Sequence, residues 1–210
     1  MKPLLSNWTI VLAGRWNMEI LNPEWVTEKI FGKENAEIDL VLNGMQANIR
    51  YRFDNLSFVP QPNNVIFSVN DTEDASLQSI EDAACKLLQA LPITPITALG
   101  INFTYIEDET PLTIAKLFNI SDSSKLADYG LAIKKTRIRR EIDFADRQLN
   151  LIISQLEGTA SRIALNYHVP TNDTAVALEA LRGHTVGLRH RSEDLLSTIY
   201  DLTVQDDEDA

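Results

Sequence analysis

The stretch KKTRIRREIDF, Lys134 to Phe144, puts five cations within seven residues of a chain whose formal charge is -11. In a strand, alternate side chains point to opposite faces. Ile138, Ile142 and Phe144 then take the core-facing side, and Lys135, Arg137, Arg139, Glu141 and Asp143 take the other. The cations stand on a solvated face that already holds anions, as the wet side of a strand does. Arg140 is the exception. It shares parity with Ile138 and Ile142, so it must snorkel at an edge, pair with a buried carboxylate or be used for binding.

Working outward, LNLIISQ and RIALNYHV continue the period of two, which predicts strands over 136–144, 149–155 and 162–169. Upstream, ALGINFTYI alternates Ile101, Phe103 and Tyr105 with Asn102 and Thr104, a strand over 99–106. A helical stretch from Thr113 to Phe118 and a loop rich in Ser and Asp separate it from Lys134. Asp71 to Asp74 place capping oxygens before a helix over about 74–91, with Leu77, Ile80, Ala84, Leu88 and Leu91 on one face. Pro92 and Pro95 stop it.

Nearer the N-terminus, Trp8, Ile10, Leu12 and Trp16 mark a strand, and Asn22, Pro23 and Gly32 bracket a short helix as cap, first turn and stop. Period two returns at Ile38 and Leu40, at Ile49, Tyr51 and Phe53, and at Val65, Phe67 and Val69 beyond a PQPNN turn. The last helix is expected over about 174–202, with Leu178, Leu181, Leu188, Leu195, Ile199 and Leu202 as its packed stripe. IRYRFD (Ile49–Asp54) and IRREID (Ile138–Asp143) each open a strand, strand, helix series, a hint of two similar units. The fold class expected is α+β, a largely antiparallel sheet with helices packed on one face. Residues 1–203 read as a single domain and 204–210 as an acidic tail.

From the helix before it, through PITPITALGINFTY, the three later strands and the closing ALEALRGHTVGLRHRSEDLLSTIY, residues 74–200 resemble a sporadically distributed, functionally uncharacterised family of bacterial α+β proteins. The central strand of that family, with the pattern G-[IL]-[NR]-[FY]-x-[NY], is matched by Gly100, Ile101, Asn102, Phe103 and Tyr105. The resemblance implies a fold and carries no catalytic residues.

The 44% hydrophobic and 23% charged composition is that of an ordinary globular domain. Cys85 is the only cysteine, so no intrachain disulfide forms, which fits a reducing compartment. The apolar N-terminal run is interrupted by Ser6 and Asn7 and ended by Arg15, short of a membrane span, so the chain is expected to be cytoplasmic and off the membrane. Net negative charge disfavours nucleic acid and favours a basic protein partner.

Chemistry-bearing constellations are sparse. His184 and His190 lie six residues apart on one helix and His168 on a strand, so no metal site is expected. No G-x-S-x-G elbow, G-x-G-x-x-G or G-K-[ST] occurs, and no cofactor is expected. Carboxylates gather at Glu141, Asp143 and Asp146 and at Glu107, Asp108 and Glu109. Gly183 and Gly187 form a G-x-x-x-G in the C-terminal helix, read as a kink or a place of close approach. Val176, Val186 and Leu196 fall off the packed stripe and need other cover.

The reading is a non-enzymatic protein–protein interaction module, an antitoxin-like, immunity-like or accessory subunit of a bacterial operon, able to self-associate. Its interaction residues are Arg140, Gly183, Val186, Gly187 and Leu196. The alternative is a nucleic-acid or nucleotide-binding accessory using Lys134, Lys135, Arg137 and Arg139. A third reading is an enzyme with a dispersed carboxylate site.

Overall fold

A computed structural model describes residues 1–43, 46–156 and 158–205. Residues 206–210 of the expected acidic tail lie outside the described residues; Val204 packs against the core, and the Gln205 N–H donates to the Met1 carbonyl at 3.0 Å.

Among the described residues, ten strands form one antiparallel sheet. They are β1 (Lys2–Pro3), β2 (Thr9–Gly14), β3 (Glu37–Asn43), β4 (Gln46–Phe53), β5 (Leu56–Gln61), β6 (Asn64–Val69), β7 (Ile96–Glu107), β8 (Arg137–Phe144), β9 (Arg147–Gln155) and β10 (Ser161–Pro170). Across the sheet the order is β3-β4-β5-β6-β2-β7-β10-β9-β8, with β1 also on β7. The helices are α1 (Pro23–Trp25, continued by a π-helical turn over Val26–Phe31), α2 (Asp74–Ala90), α3 (Leu112–Ala115), α4 (Ser123–Asp128), α5 (Thr174–Leu181) and α6 (Thr185–Tyr200).

The order splits into two halves that meet at the β2–β7 pair. In each, a first strand leads through helical structure to an antiparallel meander whose last strand returns beside the first, and a helix closes the unit: β2, β4-β5-β6, α2, then β7, β8-β9-β10, α5 and α6. IRYRFD and IRREID fall on counterpart strands, β4 and β8. Both strands run into two-residue turns whose first residues, Asp54 and Ala145, adopt positive φ (47° and 53°), as tight hairpins require.

One face of the sheet carries the core. Trp8, Ile10, Leu12, Phe58, Phe67, Leu99, Ile101, Phe103, Leu165 and Tyr167 are fully or almost fully buried there against Val26 and Ile30 of the first helix, α2, α5 and α6. The strands expected at 99–106, 136–144, 149–155 and 162–169 are found as β7 to β10 with ends shifted by up to three residues, and α2 starts as expected, although its N-cap, Glu73, makes no side-chain cap hydrogen bond. Asn22 accepts from the Trp25 N–H at 3.0 Å, and Gly32 ends the π turn at φ 62°. Strand β5 was not foreseen; it lies between β4 and β6, and its Pro60 reads in sequence as part of the turn.

The C-terminal helix departs from expectation. It is two helices, broken at Arg182–His184, where Gly183 takes φ 76°. Glu81 of α2, 1% exposed, fills the break by accepting the N–H groups of Gly183 (2.5 Å), His184 (3.1 Å) and Thr185 (2.8 Å). A carboxylate there satisfies orphan donors and complements the positive end of the α6 dipole. The buried stripe of α6 is Thr185, Leu188, Ser192, Leu196 and Tyr200, one residue later in its final turns than expected. Ser192 Oγ, 2.9 Å from Tyr167 Oη and donating to the Leu188 carbonyl, holds that phase, so Ile199 faces outward while Leu196 is enclosed.

Candidate functional site

Among the described residues, no α-helix packs on the second face of the sheet. Its central strands present half-buried side chains there: Thr9 and Val11 on β2, Ile66 on β6, Asn102 on β7, Arg162, Ala164 and Asn166 on β10, and Ile152 on β9. Strand register lines up one polar row across the sheet, Glu37–Arg52–Ser57–Ser68–Thr9–Asn102–Asn166–Asn150–Glu141. Asparagine is depleted in strands because its amide packs poorly and competes with the backbone. Here three stand side by side on central strands.

Their amides form a directed series. Arg139 Nη2 donates to Asn150 Oδ1 (3.2 Å), Asn150 Nδ2 to Asn166 Oδ1 (3.0 Å), Asn166 Nδ2 to Asn102 Oδ1 (2.7 Å) and Asn102 Nδ2 to Thr9 Oγ1 (3.0 Å). Each amide has two N–H groups and two lone pairs, so this series leaves each Asn with valences to offer. Gly100, beside the row on β7, has no side chain where a Cβ would stand 3.1 Å from Asn166 Nδ2. That absence makes room for the amide.

A groove of about 340 Å³ follows the row, floored by Val11, Ile66, Asn102, Ile152, Ala164 and Asn166 and bordered by Ser6 and Asn7 of the 3-10 turn Leu5–Asn7. It runs into a smaller hollow of about 170 Å³ between Arg137 and Arg162, over Ile152, Ser154 and Ala164. The groove therefore combines amides, guanidinium groups and short apolar side chains.

The residues expected to serve interaction are not brought together. Arg140 sits exposed on edge strand β8 and donates to Tyr200 Oη at 2.9 Å, the far end of α6 from Gly183. Gly183 and Gly187 are exposed, Val186 packs partly on the core, and Leu196 is fully buried in this protein's own core. Leu196 therefore has its cover, and the expectation that it awaits a partner is corrected. The G-x-x-x-G is a helix break at its first glycine. Of the alternative's cations, Lys134 and Lys135 are exposed ahead of β8, Arg137 and Arg139 lie on the open face, and Arg139 pairs with Glu141 at 2.8 Å.

Of the carboxylates noted in sequence, Glu141, Asp146, Glu107 and Asp108 meet cations. Asp146 makes a two-point contact with Arg147 (2.9 and 3.0 Å), whose hydrogen bonding holds the carboxyl below its ordinary value, and Glu107 and Asp108 meet the N-terminal ammonium (3.0 Å) and Lys2 (3.2 Å). Among the described residues, no three of His, Cys, Asp and Glu converge as metal ligands. Inside the helical layer, Tyr105 donates to Glu193 (3.3 Å), Glu193 meets Arg189 (3.3 Å), and Arg189 meets Asp74 (2.5 Å). Burial and then Glu193 raise the Tyr105 phenol far above its usual range. Burial works against the Arg189 charge, but the Asp74 hydrogen bond and Glu193 outweigh it and leave the pKa raised. That network joins β7, α6 and α2, and it is structural in position. Burial, followed by Glu81, pushes the Cys85 thiol up to about 11.

What the sequence missed was the asparagine row. Its members were visible singly on the polar parity of three strands; their alignment depends on register. No helix among the described residues is long and apolar enough to cross a membrane. In comparisons with known proteins, no family model and no curated protein matches this sequence.

Proposed function

We propose that this protein is a non-enzymatic protein-binding module that docks its partner on the open face of the sheet, as an antitoxin-like, immunity-like or accessory subunit of a bacterial operon. The observation that supports this reading is the hydrogen-bonded asparagine row at the centre of the face where no α-helix among the described residues packs. Three central strands depart from strand propensity at one height, and departures of this kind concentrate where a surface is used. Val11, Ile66, Ile152 and Ala164 around the row supply apolar contact, and the amides supply directional hydrogen bonds, the mixture found in non-obligate interfaces. The net negative charge favoured a basic partner in sequence. Charges act over about a Debye length, roughly 8–10 Å at physiological salt, so a docked segment senses the groove's own arginines more than the distant surface.

Photo-crosslinking residues placed singly at Val11, Ile66 and Ala164, and for comparison at Lys86 and Asp194 among the helices, test the reading in cells that make the protein natively. A discrete protein adduct is expected from the first three positions and none from the other two. Adducts arising only from the helical positions would refute it.

A further inference from the structure

We propose that Arg137 and Arg162 form a clamp for a carboxylate side chain of an extended acidic segment in the partner. The clamp rests on the docking reading above and names the chemistry at one end of its groove. Arg137 on β8 and Arg162 on β10 both stand in register with Ser154 of β9, so they face each other across one strand, with backbones about 10 Å apart at ordinary strand spacing. Between them lies the hollow over Ile152, Ser154 and Ala164.

The two guanidinium groups lack an anion of this protein. None of the ion pairs among the described residues includes either arginine, whereas Arg139 on the same strand has Glu141 and Arg52 on the other half of the sheet has Asp39. The Arg162 Nε is buried without a hydrogen-bond partner, and its Nη2 abuts the neutral side-chain amide of Asn7. Two like charges facing one hollow, whose floor of Ile152, Ser154 and Ala164 carries no charge, repel each other until an anion lies between them. Guanidinium forks match a carboxylate in two-point geometry.

The occupant favoured is a peptide. No aromatic residue lines the groove or the hollow, so bases have no stacking platform, and the net charge of -11 opposes a long polyanion. The asparagine row offers amide donors and acceptors of the kind that pair with peptide groups.

The test is fluorescence anisotropy on the full-length protein with three labelled probes: a ten-residue peptide alternating Glu and Val, the same peptide with Gln for Glu, and a ten-nucleotide oligo-dT. The Glu peptide is expected to bind saturably and at least tenfold tighter than the Gln peptide, and to weaken as salt rises. R137A and R162A should each cost about fivefold or more, and R137E/R162E should shift preference to a Lys–Val peptide. R162K, which keeps charge and length, guards against loss of fold and should bind between wild type and R162A. Equal affinity for Glu and Gln peptides, insensitivity to both arginines, or tighter binding of oligo-dT would each overturn the clamp. Crosslinking from Val11 and Ile66 that persists after such a result would leave the docking face standing; its loss as well would remove both.

Discussion

Glu81 should be the most consequential single carboxylate in the fold. Replacing it with Ala removes the acceptor for three backbone N–H groups at 2.5, 2.8 and 3.1 Å and opens a space between α2 and α6. Hydrogen bonds to a charged group contribute about 1.5–3 kcal/mol each, so simple addition would give roughly 4.5–9 kcal/mol. That sum is too large, because Gly183 and His184 are exposed and water can replace the carboxylate at their N–H groups. Thr185, 1% exposed, has no such substitute. The expected loss is therefore about 3–4 kcal/mol for Glu81→Ala, and about 2 kcal/mol for Glu81→Gln, which keeps one acceptor but turns an NH2 toward donors. At roughly 2–4 °C per kcal/mol for a protein of this size, the Ala variant should melt about 6–16 °C lower. Guanidinium unfolding should show a lower midpoint at unchanged slope, and hydrogen exchange should show Thr185 N–H losing protection. A loss below about 1 kcal/mol, with Thr185 still protected, would refute the claim that this carboxylate joins the helices.

The two glycines of the C-terminal region should respond with opposite sign. Gly187→Ala should raise stability by about 0.5–1 kcal/mol in chemical denaturation, since it lies inside α6 with nothing within 4 Å of an added Cβ. Gly183→Ala should lower it by about 1 kcal/mol or more, because φ 76° strains any residue with a Cβ. Tyr51, Tyr105 and Tyr167 have pKa values raised from 10.0, foremost by burial. The folded state therefore keeps protons that the unfolded state sheds above pH 10, so their contribution is fully present below pH 10 and is lost as pH climbs beyond it. Absorbance at about 295 nm should show these phenols ionising together with the loss of tertiary structure, and ionisation in the intact fold near 10 would contradict it. Cys85, buried and with its thiol near 11, should resist a thiol reagent at pH 8 until denaturant is added; labelling of the native protein within seconds would contradict its placement.

Local patterns carried most of the architecture into the sequence. The segments expected at 136–144, 149–155 and 162–169 fall on strands because apolar residues recur at alternate positions, Arg140 excepted, and Asn22, Gly32 and Pro92 mark helix ends by effects confined to a few residues. Where the reading failed, the deciding contact was distant. The phase of α6 is set by Ser192 against Tyr167, 25 residues earlier, and the break before it is held by Glu81, more than 100 residues away. Strand β5 was hidden because Pro60 is a turn signal that tertiary pairing overrode. The candidate site was the least legible part. Asn102, Asn150 and Asn166 sit in strands whose pairing depends on two hairpin turns and the return of β10 to β7, and no local window holds that register.

The two-unit plan accounts for where the row lies. Because each unit returns its last strand beside its first, the longest strands of the second unit, β7, β10 and β9, stand next to one another, and β2 of the first unit closes against them. The first unit places Ser57 and Ser68 at the shared height, with hydroxyls 2.7 Å apart, while the second places Asn166 and Asn150 there. A hydroxyl pair of this kind is an ordinary cross-strand contact. The longer amides reach their neighbours on both sides and link four strands from Thr9 to Asn150, and Arg139 extends the series to the edge. A purely structural role would be met as well by Thr or Val, which strands prefer, and would not need Gly100 bare beside Asn166. The divergence between the halves thus falls on the face where no α-helix among the described residues packs, at the height where register makes side chains act together. It continues into a hollow flanked by two arginines that have no carboxylate partner among the described residues.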